Sequence, residues 1–239
     1  MPDDVTQRPE PTPPPGPVTS LHDPRAVQIL STEHWGLLSA RSLAYNEAFT
    51  RGGMFLGFLS MSFVALALVA GAMSAGPDFL LVAALVIGFD VVIGLTTYGR
   101  IVAANYEDYL AVHGMARIRH AYGEIAPIVL PYFTTGTHDD QRGVLVGYPS
   151  APAGGIGSLL YGLTTSSGMI GLIVAMLTGV LAFVGVLAAG VSVQAGFLVG
   201  GVVAVATFAT LLAYTYRFHA RTQAALTARF PTPHEAEPT

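Results

Sequence analysis

Asp90 is the residue in this sequence whose type and place ask most of its surroundings. It lies twelfth from Phe79 and ten before Arg100, inside an apolar run of about residues 79–98. An acid at the centre of a membrane helix costs about 3 kcal/mol on insertion scales, so it must face a bundle interior or a wet cavity. Two kinds of chemistry fit. Asp90 is either a proton or cation site, or a hydrogen-bonded acid that ties helices together. Its candidate partners are Ser60, Ser62, Thr178, Thr207 and Thr210, and none of the four apolar runs carries a basic residue.

A second group lies outside those runs. His113, Arg117, His120 and Glu124 recur at helical spacing and share one face, opposite an apolar seam. Arg117, Arg119 and His120 form a candidate anion-binding set for a lipid headgroup or a phosphate. The plainer reading is a solvated helix face. His138, Asp139 and Asp140 can each ligate a metal, but adjacent residues seldom all point at one ion, and nothing nearby completes a shell. The expectation is no metal and no cofactor. Cysteine is absent, which excludes thiolate nucleophiles and disulfides. No glycine-rich phosphate loop follows a strand, and no nucleophile elbow is present. The chain is therefore not expected to be an enzyme.

These residues need helices to position them. Asp23-Pro24 reads as a helix start, with an acid at the cap and proline at the first helical position, and Ser31 is a second candidate cap. Trp35, Leu38, Tyr45 and Phe49 fall on one face of the helix that follows. Membrane segments are predicted at about 53–73, 79–98, 169–190 and 195–214, each about long enough to cross a hydrocarbon core of roughly 30 Å. The first two are joined by a short turn, Gly76-Pro77-Asp78, and so form an antiparallel hairpin. Beyond Arg100 the second helix continues to about Ile125, where Pro127 stops it. Ala111, Met115, Ile118, Tyr122 and Ile125 make a heptad-like seam there. The helices entering and leaving the first hairpin are expected to pack as an antiparallel cytoplasmic stalk, with Arg41 and Asp108 as an exposed ion pair. Residues 127–167 read as an irregular loop at the interface, with a short strand at 143–148. Residues 1–22 and 217–239 read as tails, the first Pro-rich and disordered, the second cytoplasmic. The domain reading is thus 1–22, 23–126, 127–167, 168–216 and 217–239.

Composition agrees with a membrane. The chain is 52% hydrophobic and only 11% charged. From Gly143 to Tyr216 no Asp, Glu, Lys, Arg or His occurs, a stretch that water would not tolerate as a protein surface. All eleven basic residues are Arg, and they flank the predicted segments on one side only. By the positive-inside rule both termini and the middle region are expected to be cytoplasmic. A net charge of -4 implies no nucleic-acid partner. Small residues recur at four-residue spacing: Gly53 and Gly57, then Gly171, Ala175 and Gly179, then Gly196, Gly200 and Ala204. Such stripes let helices approach closely in lipid, within one chain or between copies of a homo-oligomer.

Residues 39–51, Ser-Ala-Arg-Ser-Leu-Ala-Tyr-Asn-Glu-Ala-Phe-Thr-Arg, together with residues 119–127, Arg-His-Ala-Tyr-Gly-Glu-Ile-Ala-Pro, resemble an uncharacterised bacterial family of four-helix integral membrane proteins. The resemblance covers about residues 30–216 and implies no activity. The chain is also similar, more weakly, to the SLATT group of membrane effectors, which implies pore formation on a signal. Those effectors have two membrane helices, and the segments at 169–190 and 195–214 depart from that pattern. The expected fold is all-α, two membrane hairpins with a cytoplasmic stalk. The expected function is an oligomeric scaffold or partner-binding subunit with lipid and a cytoplasmic protein as partners. The other class is a small channel, transporter subunit or pore using Asp90.

Overall fold

The computed structural model describes residues 16–73, 76–148 and 155–233. The first fifteen residues of the Pro-rich tail, residues 149–154 of the predicted loop and the Pro/Glu-rich end at 234–239 lie outside the described residues. Six α-helices follow in order: α1 (Pro24–Ala72), α2 (Pro77–Ile125), α3 (Gln141–Leu145), α4 (Gly155–Thr164), α5 (Ser166–Ala188) and α6 (Val193–Ala225). A 3-10 turn, Pro127–Tyr132, lies between α2 and α3.

Local chemistry sets most of the boundaries. The Asp23 carboxylate accepts the Arg25 amide at 2.9 Å, so α1 starts at the predicted cap, and Ser31 lies inside the helix. Pro77 opens α2, where its missing N–H costs nothing, and Asp78 in the first turn complements the positive end of the helix. Pro127 ends α2 because the residue before a proline disfavours helical backbone. The hydroxyls of Thr165 and Ser192 cap α5 and α6 by accepting the amides of Gly168 and Ala195. Helix α5 closes on Gly190, whose φ of +75° suits glycine. The Gly190 and Val191 amides donate back to Leu187 and Val186, satisfying carbonyls that the helix end leaves open.

Four of these helices, α1, α2, α5 and α6, are long and apolar enough to cross a membrane. Helix α1 packs along α2, α2 along α5, and α5 along α6, so α2 and α5 are the inner pair. Phe55, Ile101, Ile170 and Val174 are fully buried among them. Phe63, Leu68, Leu85, Phe197 and Leu198 point outward and exposed. In water that surface would be an aggregation liability; in hydrocarbon it is the expected outer face of a multi-pass membrane protein. A second, smaller apolar cluster joins Val112 and Met115 of α2 to Val144 of α3, with Leu37 of α1 packed against it.

Two expectations about this fold are corrected. Residues 143–148 are no strand: Asp140 accepts the Gly143 amide at 3.0 Å and starts α3, and Val144 is then buried on the small cluster. The stretch predicted as irregular is largely helical, in the 3-10 turn, α3 and α4. Helix α6 continues past the predicted membrane segment to Ala225, where the Tyr98 hydroxyl reaches Leu211 and Thr215 and Phe218 packs edge-on against Tyr106.

Candidate functional site

Asp90 is 1% exposed, on the side of α2 that meets α1. Ser62 of α1 donates its hydroxyl to the carboxylate at 2.9 Å. Of the five candidate partners, Ser62 is the one that bonds it. Ser60 and Thr210 bond carbonyls of their own helix, and Thr178 and Thr207 bond each other across α5 and α6 at 3.1 Å. An outward-open groove of about 550 Å³ runs past Ser62 between Phe58 and Phe89, whose rings meet edge to face. The arrangement pins α1 to α2 through a polar bond in an apolar span. Chemically it offers a carboxyl group one hydroxyl away from a lipid-facing groove.

The next polar layer lies where the apolar spans end. Glu47 of α1 accepts from Arg51 at 2.9 Å and from Arg100 of α2 at 2.7 Å, and Arg100 also reaches Glu107. The Arg100 and Arg51 guanidiniums hold Glu47 down at about 2, so it stays charged throughout the neutral range. Farther along, Asp108 contradicts the expectation of an exposed ion pair. Its side chain is only 6% exposed and is paired with Arg41. Tyr148 donates to the same carboxylate at 2.9 Å. Burial, then the Asp108 charge, pushes the Tyr148 phenol well above its usual range, so it remains a donor. The pair is buried because α3 and the turn after it fold Tyr148 over Asp108.

Beside Asp108 opens a recess of about 570 Å³ to which α1, α2, α4, α5 and α6 all contribute. Asn105, Tyr161, Thr165, Ser167, His219 and Gln223 supply much of its polar lining. The sequence reading missed this recess. The run Thr164-Thr165-Ser166-Ser167 was its one local signal, and that run reads equally well as the cap of α5.

The three residues grouped as an anion site do not converge. Arg117 turns to Asp139, with its Nε at 2.6 Å from the carboxylate. His120 lies under the Phe230 ring, with centroids 4.1 Å apart. Arg119 is half-buried elsewhere, and burial, then Arg41, pulls its pKa below the ordinary value. The face that carries them is only partly solvated: His113 is buried and residues 227–232 reach over Arg117 and His120, while the Glu124 side chain stays half exposed. His138, Asp139 and Asp140 also diverge: Asp139 faces Arg117, while Asp140 caps α3 and accepts the Thr232 hydroxyl at 2.7 Å. Among the described residues no three His, Asp or Glu side chains are placed to share a metal.

The small-residue stripes of α5 and α6 meet within the chain. A Cβ at Gly179 would lie 2.7 Å from the Gly200 carbonyl and 2.9 Å from the Ala204 methyl. Gly171 sits against the Tyr98 ring and Gly196 against Phe183, while Ala175 is buried. Gly53 and Gly57 meet nothing within 4 Å. Comparison with protein-family models, curated proteins and solved structures finds no match to this chain.

Proposed function

We propose that this chain is a non-enzymatic, oligomeric scaffold of a bacterial inner membrane, with two membrane hairpins and a cytoplasmic stalk that holds a helical partner. One observation carries the reading. In α1, Trp35, Leu38, Ser42, Tyr45 and Phe49 repeat at three, four, three and four residues, and all are exposed, Trp35 at 65% and Phe49 at 83%. Among the described residues no helix packs along this two-heptad seam, and Tyr45 reaches Asp108 of α2 only through its hydroxyl. Helix α1 turns its other side, Ala44, Ala48 and Phe55, to the core. Trp35 is about 27 Å along the helix from Gly53 at 1.5 Å per residue, so lipid does not explain its exposure. The resemblance of residues 39–51 to a four-helix membrane family agrees with the reading and adds no activity.

A second copy is the partner whose geometry fits. Two copies inserted the same way are related by an axis normal to the membrane, so their α1 helices run parallel and the seam meets itself. Two heptads bind weakly in solution, but confinement to one membrane raises the effective concentration. Because the chain lacks cysteine, Ser42→Cys places a single thiol in the middle of the seam. Oxidation in native membranes should give a covalent dimer. Adding Phe49→Glu should cut its yield at least fivefold. A Gly71→Cys control, on an open face of the same helix, should give little. Equal yields at both positions would argue against a seam-mediated oligomer and move the search to other cytoplasmic proteins.

The conducting reading rests on Asp90 and is tested beside the first. Purified protein in liposomes should show no ion or proton flux above empty vesicles, and Asp90→Asn should keep the fold and the Ser42→Cys dimer. An amide still accepts the Ser62 hydroxyl. Flux in the wild type that disappears in a folded Asp90→Asn variant would make the chain a conductor.

A further inference from the structure

After α6 the chain turns back along α2 and is held there by its backbone. The Asp139 carboxylate, whose side chain is 0% exposed, accepts the Arg229 amide at 2.9 Å and the Phe230 amide at 2.7 Å. The Asp139 amide donates to the Phe230 carbonyl at 3.2 Å. Arg117 donates to the Thr227 carbonyl at 3.0 Å while it also pairs with Asp139. The Thr232 hydroxyl donates to Asp140, and the Phe230 ring stacks on His120 at 21°. The loop before α3 thus holds residues 227–232 chiefly by their backbone. One buried carboxylate is the centre of that recognition.

Beneath that carboxylate lies an imidazole stacked beside the Tyr109 ring. His113 is buried, neither ring nitrogen has a hydrogen-bond partner among the described residues, and its Nε2 is 3.7 Å from Asp139. A buried imidazole is harder to charge than one in water, because burial penalises the charged form. The other groups facing this pair are Tyr109, Arg117, His120 and Glu124 on α2, His138 and Asp140 on the loop, and Arg229 on the docked residues.

We propose that residues 227–232 form an acid-released clasp, closed when His113 is neutral and opened when His113 takes a proton. Closed, the clasp fixes the end of α6 to α2 and covers Arg117 and His120. Burial, then the Arg117 charge, lowers the His113 pKa below 6.5, and Asp139 only partly offsets them. The closed state therefore binds fewer protons than a state with His113 in water, so closure weakens as pH falls below about 6.5. Asp139 does not set this range. Burial opposes its charge, but the Arg229 amide, Arg117 and the Phe230 amide outweigh burial and hold its pKa below 3.8. Its contribution is lost only near and below that value.

The test is the distance between nitroxide labels at Arg142→Cys and Pro233→Cys in the full chain, in nanodiscs, by double electron–electron resonance. Both positions are exposed and the chain has no other cysteine. At pH 7.5 one narrow distance is expected, and at pH 5.5 a broad, longer distribution should hold at least half of the population. His113→Phe keeps a flat ring and removes the titration, so it should stay narrow at both pH values. Asp139→Asn should be broad already at pH 7.5. A wild-type distribution unchanged between the two pH values would overturn acid release. Opening of His113→Phe identical to wild type would overturn His113 as the trigger. Singly labelled copies mixed together, at Arg142→Cys and at Pro233→Cys, should give no such narrow distance; if they do, the clasp binds a second copy and its intrachain placement is wrong.

Discussion

Arg41→Ala should destabilise the folded chain by about 3 kcal/mol, the low end of what breaking a buried ion pair costs. The loss comes chiefly from what is left behind. Asp108 would remain buried, with Tyr148 and a longer contact to Tyr45 as its donors and no compensating cation. Those two phenols, and the partial exposure of Arg41, keep the figure from being larger. Unfolding in mixed detergent, followed by circular dichroism, measures it. The double variant Arg41→Met, Asp108→Leu is the internal control. It removes both charges and should recover most of the loss, because a buried pair contributes little against an apolar pair of similar volume. A single variant within 0.5 kcal/mol of wild type would mean that water reaches Asp108.

Gly179→Leu should cost about 3 kcal/mol or more by overpacking. The new Cβ would meet the Gly200 carbonyl at 2.7 Å, and a backbone atom cannot swing aside as a side-chain tip can. The four-residue stripe of α6 would be pushed off α5, and the Thr178–Thr207 bond beside it would go too. Gly201→Leu, next to Gly200 but facing open space, should be within 0.5 kcal/mol of wild type. If both variants behave alike, the close approach of α5 and α6 does not hold this bundle together.

Much of the helical framework was legible because its signals are local. Asp23-Pro24, Pro77 and Pro127 mark helix ends by backbone chemistry, and four long apolar runs mark the candidate spans by length. The polar sites were less legible because they depend on residues far apart in sequence. Asp108 reads as a surface acid on α2 until Tyr148, forty residues later, is folded over it. Arg117 and His120 read as a free basic face until residues more than ninety positions away cover them. The Trp35–Phe49 heptad was visible as a pattern, but a pattern does not say which side of a helix its own chain will use. Ser62 was one of five hydroxyls proposed for Asp90, and only the register of α1 against α2 selects it.

The clasp also has a meaning in time. Residues 227–232 leave the ribosome after every residue they bind, since Arg117, His120, Asp139 and Asp140 all precede them. Until then the Asp139 carboxylate lacks the two amides that satisfy it, and the end of α6 is not yet tied to α2. A chain interrupted before Arg229 therefore leaves the Asp139 carboxylate to Arg117 and water.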